Sequence, residues 1–410
     1  MHIIQPPLFD FEAFVALRGS DRLVMVLEAL DAERLISALE REHWTGRNGY
    51  PIRGMWACLI AGVLHQCRSI AEVARLLEHN KDVRTVCGFP GKDQVPSEDA
   101  LGRFLKKVVG HRQLLEESFE GLVEKLRQVL PGFGAKLVTD STDIKAYSKG
   151  QRKNPSDPDA RWGAKGTGPA AEKGEERDLY RWFGYKLHLA VDGLYELPVS
   201  FVVTPANESD TKQMKVLLEK AVPAPTAQPE VVIADKGYDS RDNYELVYEK
   251  YGAAPIIPIR ERGDMQQPDI CNAKGTPTCG CGLSMVYWGR DGEYLKYRCP
   301  EAVGKGVCLS RFPCTSSPYG YVLKLPIKED PRRHPPVPRE TKKWQRLYRL
   351  RSSVERVNSR VKALLGLERM TLRGIAKVTV RALLSLLVML AAALGMAQHH
   401  RLKELRVLVT

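Results

Sequence analysis

Two apolar runs that are predicted to be strands each end in an aspartate, and this arrangement indicates a site for divalent metal ions. Asp140 follows Leu-Val-Thr, and Asp235 follows Val-Val-Ile-Ala. Carboxylates at strand ends can point into the crevice where open α/β sheets bind their ligands. Magnesium prefers oxygen ligands and usually takes one or two carboxylates together with substrate phosphates. Because phosphodiester chemistry benefits from two such ions, the aspartates predict metal-dependent chemistry on a phosphodiester.

A third carboxylate is expected from elsewhere in the chain, and Glu355 is the candidate. It lies in a helical stretch that also carries Tyr348, Arg351 and Lys362. At about 100° per residue, these three side chains fall on the same narrow helix face as the glutamate. Such a mixture of groups is not an apolar core seam. It suits a helix that lies along a metal-bound phosphate backbone, with the cations on phosphates and Glu355 on the metal.

Each of these residues also has a plainer explanation when it is taken singly. A strand-end aspartate is often only a turn former or a helix N-cap. Asp143 and Asp239 compete with their neighbours as ligands. A glutamate among arginines is usually half of a surface i,i+4 pair, here with Arg351, worth about 0.3–0.5 kcal/mol. The joint occurrence of the three acids favours the metal-site interpretation.

The segments around the acids predict an α/β domain. Three consecutive strands followed by alternating helix and strand give a mixed sheet with flanking helices, and this order fits a ribonuclease-H-like domain. The polar stretch 150–178 predicts one long loop. The strands are predicted at 136–140, 183–191, 197–204, 231–235 and 254–259, and the helices at 210–221 and 243–251.

The segment before this domain predicts an all-α domain. Apolar residues at helical spacing indicate a helix over 51–67, and Ser69 with Glu72 forms a candidate capping box for the next one. A DNA-binding role and a dimerisation role both stay open, because no sharp helix-turn-helix spacing is present. The predicted organisation is an N-terminal helical DNA-binding domain at 1–125, a catalytic domain at 126–260 and 331–400, and a cysteine-rich β insertion at 261–330.

Six of the nine cysteines fall between residues 271 and 314. Tetrahedral zinc needs four ligands, and a small zinc ribbon is one interpretation of this cluster. Free thiols are the alternative, because the cysteines do not form two C-x2-C pairs. The candidate ligands of a structural Zn²⁺ are Cys279, Cys281, Cys299 and Cys308.

Net charge and hydropathy indicate which classes of partner the protein can bind. The 410 residues carry 62 Lys and Arg against 49 Asp and Glu, a net charge of +13 that favours a polyanion. Residues 342–381 hold twelve of these cations beside only two glutamates, which predicts a phosphate-binding surface. The uncharged run 382–397 is too short for a bilayer and predicts a buried helix. No secretory signal is visible, so we expect a reducing, cytoplasmic location and no membrane partner.

These motifs resemble those of bacterial insertion-sequence transposases of the DDE class. One group of that class carries the pattern Y-x2-R-x3-E-x6-K, and Tyr348, Arg351, Glu355 and Lys362 match each of its positions. The resemblance extends from about residue 45 to 390. Further matching stretches begin at Val95 (VPSEDALGRF), Asp140 (DST), Asp157 (DPDARW), Phe183 (FGYKLH), Thr204 (TPANESD) and Ala234 (ADKGYD).

The resemblance implies a ribonuclease-H-like catalytic domain, an amino-terminal helical domain that binds transposon ends, and magnesium-dependent cut-and-paste transposition. Asp140, Asp235 and Glu355 would then hold two Mg²⁺ ions, for which Mn²⁺ could substitute. The tyrosine, arginine and lysine of the pattern would position phosphates. The implied partners are terminal inverted repeats and target DNA, bound by at least a homodimer. Two alternatives stay open, a two-metal nuclease of the same fold that does not transfer strands, and a non-catalytic DNA-binding regulator or decayed element protein.

Overall fold

The computed structural model describes residues 14–15, 17–43, 49–166, 178–224, 227–260, 271–272, 274–309 and 314–407. The chain divides into two compact units. Unit 1 comprises Met1–Phe133, Ser141–Glu208 and Glu355–Thr410, and unit 2 comprises Gly134–Asp140 and Ser209–Val354. The domain boundaries predicted from the sequence follow a different division and stay predictions.

Unit 1 begins with helices. Half of the predicted capping box is present, because the Ser69 hydroxyl accepts the Glu72 N–H at 3.1 Å. The Glu72 carboxylate accepts the N–H of Arg68, at 2.8 Å, and not that of the N-cap residue Ser69. The helix predicted over 51–67 ends at Leu64, before Gln66 adopts a positive φ of 57°. The helices are α1 (Gly19–Ala29), α2 (Glu33–His43), α3 (Ile52–Leu64), α4 (Ile70–His79), α5 (Lys81–Val86), α6 (Glu98–Gly110) and α7 (Arg112–Val129).

A long apolar helix, labelled α12 (Ile375–Val407), forms the centre of unit 1 and packs against α1, α3 and α7. In the described residues it is the one helix long and apolar enough to cross a membrane, and an 18-residue window within Ile375–Gln398 has a mean hydropathy of 2.1. Of that window, 94% is buried inside the protein. Its apolar side chains therefore supply the core of this unit, and the prediction of a buried helix is confirmed.

The strands of unit 1 are antiparallel. Strand β3 (Leu179–Asp192) pairs along one half with β2 (Arg161–Gly166) and along the other with β4 (Leu197–Pro205). The predicted loop 150–178 is wrong for 161–166, which form β2, whereas 167–177 lie outside the described residues. Local composition did not predict this strand, because its backbone pairs with the distant strand β3 and five of its six residues are at least partly exposed.

The strands of unit 2 are parallel. Strand β1 (Lys136–Lys145) enters unit 2 with its first residues, which pair in parallel with β5 (Val231–Ala234), and β5 pairs in parallel with β6 (Ala254–Ile256). All four residues of β5 are buried, as expected for a parallel strand covered on both faces. The prediction of a mixed sheet with flanking helices is confirmed.

The helices that flank these strands and a separate three-stranded sheet complete unit 2. In the separate sheet β8 pairs antiparallel with both β7 and β9, over a small core that includes Cys279. The elements are α8 (Asp210–Ala221), α9 (Arg241–Glu245), β7 (Val286–Asp291), β8 (Tyr294–Arg298), β9 (Val322–Pro326) and α10 (Lys342–Tyr348). Helix α11 (Ser352–Ser359) then leads into unit 1.

Candidate active site

The structure brings Asp140 and Asp235 together at one edge of the unit 2 strands. The last register pair of β1 and β5 is Thr139 with Ala234, so the two aspartates are the next residues on neighbouring parallel strands. Neighbouring strands lie about 4.8 Å apart, which places the two carboxylates on adjacent backbone positions. Both side chains are partly buried. This edge offers two carboxylates at the carboxyl ends of parallel strands, where open α/β sheets bind ligands.

Asp235 also caps a turn. One carboxylate oxygen accepts the Gly237 N–H at 2.7 Å and so begins a 3₁₀ turn over Lys236–Tyr238. A Cβ on residue 237 would lie 2.8 Å from that oxygen, so any larger residue there would have to displace the Asp235 carboxylate. The capping role that was the plainer alternative for this aspartate is therefore real. It fixes the orientation of the carboxylate and engages only one of its two oxygens.

Tyr238 brings a third acid into this region. Its side chain is 1% exposed, and its hydroxyl has no hydrogen-bond partner among the residues that the structure describes. Burial raises the pKa of this phenol well above its ordinary value, and the negative charges of Asp140, Asp210 and Asp235 raise it further. Asp210 therefore lies near this region, but the described residues contain no group of three acids that is placed to hold a metal ion.

The sequence interpretation missed Asp210, the first residue of α8. The adjacent Thr211 hydroxyl donates to the Gly237 carbonyl at 2.9 Å, and the Asn243 amide donates to the carbonyls of Thr211 and Tyr238 at 3.2 and 2.9 Å. These bonds hold the start of α8 against the turn that follows Asp235. A signal was available, because Asp210 ends the stretch Thr-Pro-Ala-Asn-Glu-Ser-Asp that carries part of the family resemblance.

Arg351 lies beside the aspartate edge within unit 2. Its guanidinium is 3.8 Å from a carboxylate oxygen of Asp140, and its side chain keeps 29% of its surface exposed. The short turn that carries it packs against β5. Tyr348 lies one turn earlier and stacks on Trp344, with ring centroids 4.8 Å apart and planes 15° from parallel. The exposed part of the guanidinium can contact a phosphate.

The expectation of one continuous α-helix from Tyr348 to Lys362 is wrong. The chain forms a 3₁₀ turn over Arg349–Arg351, α-helix over Ser352–Ser359 and a π-helical turn over Arg360–Leu364. The 100° rotation per residue therefore does not apply along the whole stretch. Packing explains the changes, because the 3₁₀ turn contacts β5 in unit 2 and the π turn contacts α12 in unit 1.

Lys362 and Glu355 both belong to unit 1. The Lys362 ammonium donates to Asp143 at 3.0 Å, and the Tyr180 hydroxyl donates to the same carboxylate at 3.1 Å. Burial raises the pKa of Asp143, but the hydrogen bonds and charge of Lys362 and Tyr180 outweigh it, so the pKa lies below its ordinary value. Glu355 is exposed on α11, and its role as the third acid stays a prediction.

The two competing acids are engaged elsewhere. Asp239 is buried and accepts two hydrogen bonds from the Arg332 guanidinium, both at 2.7 Å, and a third from the Arg260 N–H at 2.7 Å. Asp143 is paired with Lys362 as described above. Each of these two carboxylates already accepts hydrogen bonds from a cation and from a second donor, which leaves fewer oxygen lone pairs for a metal ion.

The acids at the strand edge fit a magnesium ion better than the cysteines fit zinc. Among the described residues, no group of three or more His, Cys, Asp or Glu is placed to hold a metal ion. Magnesium does not need three protein ligands, since one or two carboxylates with phosphates and water suffice. Asp140 and Asp235 supply two oxygen donors of the required kind. Structural zinc, by contrast, needs four protein ligands.

The cysteine cluster brings some of the predicted thiols together. The sulfurs of Cys279 and Cys281 are 3.0 Å apart. The hydrogen bond from Cys279 lowers the pKa of Cys281, and Cys308 acts weakly in the same direction. Cys299 follows β8, where its N–H donates to the Tyr321 carbonyl at 2.9 Å. Within the described part of the chain no contact joins Cys299 to the other three thiols, so zinc at these four residues stays a prediction.

The cation-rich stretch 342–381 is less available to phosphate than its composition predicts. Arg356 and Arg360 both pair with Glu196, at 2.6 and 2.7 Å. Arg381 is buried and donates to the Leu365 carbonyl at 2.6 Å. The expectation that the whole stretch forms one phosphate-binding surface is therefore wrong for these arginines. The acid that pairs with two of them comes from a turn far away in the sequence.

Comparison with known families agrees with this geometry. A family model described as "Transposase DDE domain" matches residues 131–391, which is more than half of the chain. A second, described as "Transposase domain (DUF772)", matches residues 9–107. A search of the curated proteins found no match.

Proposed function

The chain belongs to the DDE transposase family, which cleaves DNA with divalent metal ions and transfers the cut strand, and from this premise we propose which residues do the chemistry. The protein is a DNA transposase. In our proposal Asp140, Asp235 and Glu355 hold two Mg²⁺ ions, with Mn²⁺ as a substitute. The observation that carries the proposal is the register of β1 and β5, which makes Asp140 and Asp235 neighbours at one strand edge.

The proposed roles follow from what each side chain can contact. Bound magnesium supplies Lewis acidity, which activates water or a 3′-hydroxyl and stabilises the leaving oxygen. Asp140 and Asp235 provide anionic oxygens from rigid strand ends, and the Gly237 N–H keeps the Asp235 carboxylate in one orientation. Arg351 lies beside Asp140 with 29% of its side chain exposed. It is placed to hold a phosphate and to offset the negative charge that develops on that phosphate in the transition state. Tyr348 and Lys362 are proposed to position further phosphates.

The remaining expectations complete the proposal. The ribonuclease-H-like catalytic domain comprises 126–260 and 331–400, and the helices of 1–125 bind the terminal inverted repeats. Two transposon ends must be held together, so a homodimer or larger assembly acts on them and on target DNA. We propose that this takes place in the bacterial cytoplasm. For the cysteine-rich β insertion at 261–330 we favour free thiols over zinc, because three thiols approach one another and the fourth does not join them.

The test uses the full chain, Mg²⁺ and labelled DNA taken from the ends of the element. The wild type is expected to give both cleaved ends and strand-transfer products. Asp140→Asn and Asp235→Asn should bind the same DNA but not cleave it, because each removes an anionic oxygen from the metal site. Asp242→Asn, which neutralises an exposed aspartate on α9, is the matched control and should behave like the wild type.

Cleavage that persists in Asp140→Asn or Asp235→Asn would overturn the site assignment. Cleaved ends without strand-transfer products would favour the nuclease alternative. Wild-type binding without cleavage would favour the regulator alternative.

A further inference from the structure

A cationic cavity of about 300 Å³ lies in unit 1, beside Lys362. It is lined by Gln66 and Arg68 from the segment after α3, and by Lys362, Ala363, Gly366, Glu368 and Arg369. The volume is at the lower end of the range of about 300–1,000 Å³ that ligand pockets usually have. It leaves room for a nucleotide-sized group.

Backbone contacts hold the two walls of this cavity in place. The Thr371 N–H and hydroxyl both donate to the Arg68 carbonyl, at 2.9 and 3.2 Å. Gly366 has a φ of 69°, and a Cβ there would lie 3.1 Å from Gln66 Cα. Gln66 itself has a left-handed φ of 57°, which is uncommon for a residue with a side chain. The charged side chains are thus not needed to shape the cavity and remain available to a ligand.

The acids near the cavity already face other cations. Asp143 pairs with Lys362. The Tyr180 hydroxyl is the main cause that raises the pKa of Lys145, and Asp143 and Glu368 add to it. Among the described residues, no acidic side chain lies within ion-pair distance of Arg68 or Arg369. The lining therefore carries two arginines that form no ion pair in the described residues, Arg68 and Arg369, beside the carboxylate of Glu368.

We propose that this cavity binds a backbone phosphate of the DNA that the enzyme processes. Guanidinium groups match the geometry of phosphate oxygens and form bidentate, charge-assisted hydrogen bonds with them. The cavity shares Lys362 with the phosphate-binding pattern, so this inference rests on the proposed function and extends it to residues outside that pattern. A free nucleotide or inorganic phosphate has the same chemistry and is the alternative source of the ligand.

The test measures the salt dependence of DNA binding by the full chain. The double variant Arg68→Gln with Arg369→Gln should bind end DNA more weakly, and its slope of log K against log salt should fall by about 1 for each phosphate that the variant no longer neutralises. Lys305→Gln with Lys328→Gln removes the same charge from exposed positions of the 261–330 insertion, outside the proposed DNA-binding helices, and it should keep the wild-type slope. Thermal unfolding of each variant checks that the fold is intact.

Each outcome is decisive. An unchanged slope in the Arg68 and Arg369 variant overturns the inference. If Asp140→Asn nevertheless loses cleavage in the separate cleavage assay, the proposed function stands while the cavity proposal fails. Titration of the wild type and the double variant with dAMP or inorganic phosphate separates the ligand sources. If the wild type binds either compound tightly, the double variant does not, and DNA binding is the same in both, then the ligand of the cavity is a free phosphate compound and not DNA.

Discussion

The aspartate edge and the cysteine cluster of unit 2 are two sets of candidate metal ligands that differ in how closely the fold brings their members together. Asp140 and Asp235 are far apart in the chain, yet the register of two parallel strands makes them neighbours. The cysteines between 271 and 314 are close in sequence, but only Cys279 and Cys281 have sulfurs within 3.0 Å. Proximity in the fold therefore follows from hydrogen-bonded register and not from spacing along the chain.

The two regions also differ in what their metal would require. Magnesium accepts an incomplete set of protein ligands, because phosphates and water complete its shell. Structural zinc needs all four ligands from the protein. A pair of carboxylates is therefore enough for one region to bind its metal, whereas three approaching thiols are not enough for the other.

The largest expected difference between the two regions is in catalysis. Asp235→Asn should reduce DNA cleavage by about 10²–10³-fold, the size of effect found when one group that stabilises the transition state is removed. Cys281→Ser should leave cleavage within about twofold of the wild type, because the thiol pair lies outside the proposed chemistry. Quantified cleavage of labelled end DNA measures both. Equal losses of cleavage in the two variants would mean that the thiol pair matters as much for catalysis as Asp235 does.

The next effect concerns the ion pair that joins the segment after β9 to the turn after Asp235. Arg332→Met leaves Asp239 buried without its partner, and the free energy of unfolding should fall by about 3–5 kcal/mol. Urea unfolding measures this change. Arg241→Met breaks an exposed pair with Glu245 and should cost no more than about 1 kcal/mol. A small loss in Arg332→Met would mean that the two segments do not depend on this ion pair.

A smaller effect is expected from chelators of zinc. If the thiols are free, a zinc chelator should change the Tm by less than about 2 °C, since 1 kcal/mol corresponds to roughly 2–4 °C for a unit of this size. Differential scanning calorimetry with a parallel zinc determination measures this. Stoichiometric zinc whose removal lowers the Tm further would establish a fourth ligand and contradict the free-thiol proposal.

The smallest expected effect is on stability and concerns Asp143. This residue lies three positions after Asp140 on β1, but its carboxylate forms an ion pair with Lys362. The folded-state pKa of Asp143 is depressed, so its contribution is present above the unfolded pKa of about 3.9 and is lost as pH falls through the lower folded value. Asp143→Asn should destabilise the protein by about 0.5–1 kcal/mol at neutral pH. Urea unfolding at several pH values should show this difference shrinking below about pH 4. A pH-independent difference would mean that the carboxylate charge is not the cause.

Sequence patterns predict the buried elements better than the exposed ones. Helix α8 has the predicted bounds 210–221, and β5 differs by one residue. Strand β2 falls within a predicted loop, because its residues are polar and its pairing with β3 is not visible locally. The stretch through Glu355 is predicted as regular α-helix, whereas contacts with β5 and α12 change its winding at both ends.

The sequence alone determined the family motifs, the mixed sheet and the central buried helix, because strand and helix patterns depend on the local alternation of apolar and polar residues. Only the tertiary structure decided which acids are neighbours and which are already paired with a basic side chain. It set Asp140 beside Asp235, committed Asp239 to Arg332 and brought Asp210 to Tyr238, since register and side-chain pairing arise from contacts between residues distant in the chain. The same contacts paired several arginines with a distant glutamate and left two others facing a cavity.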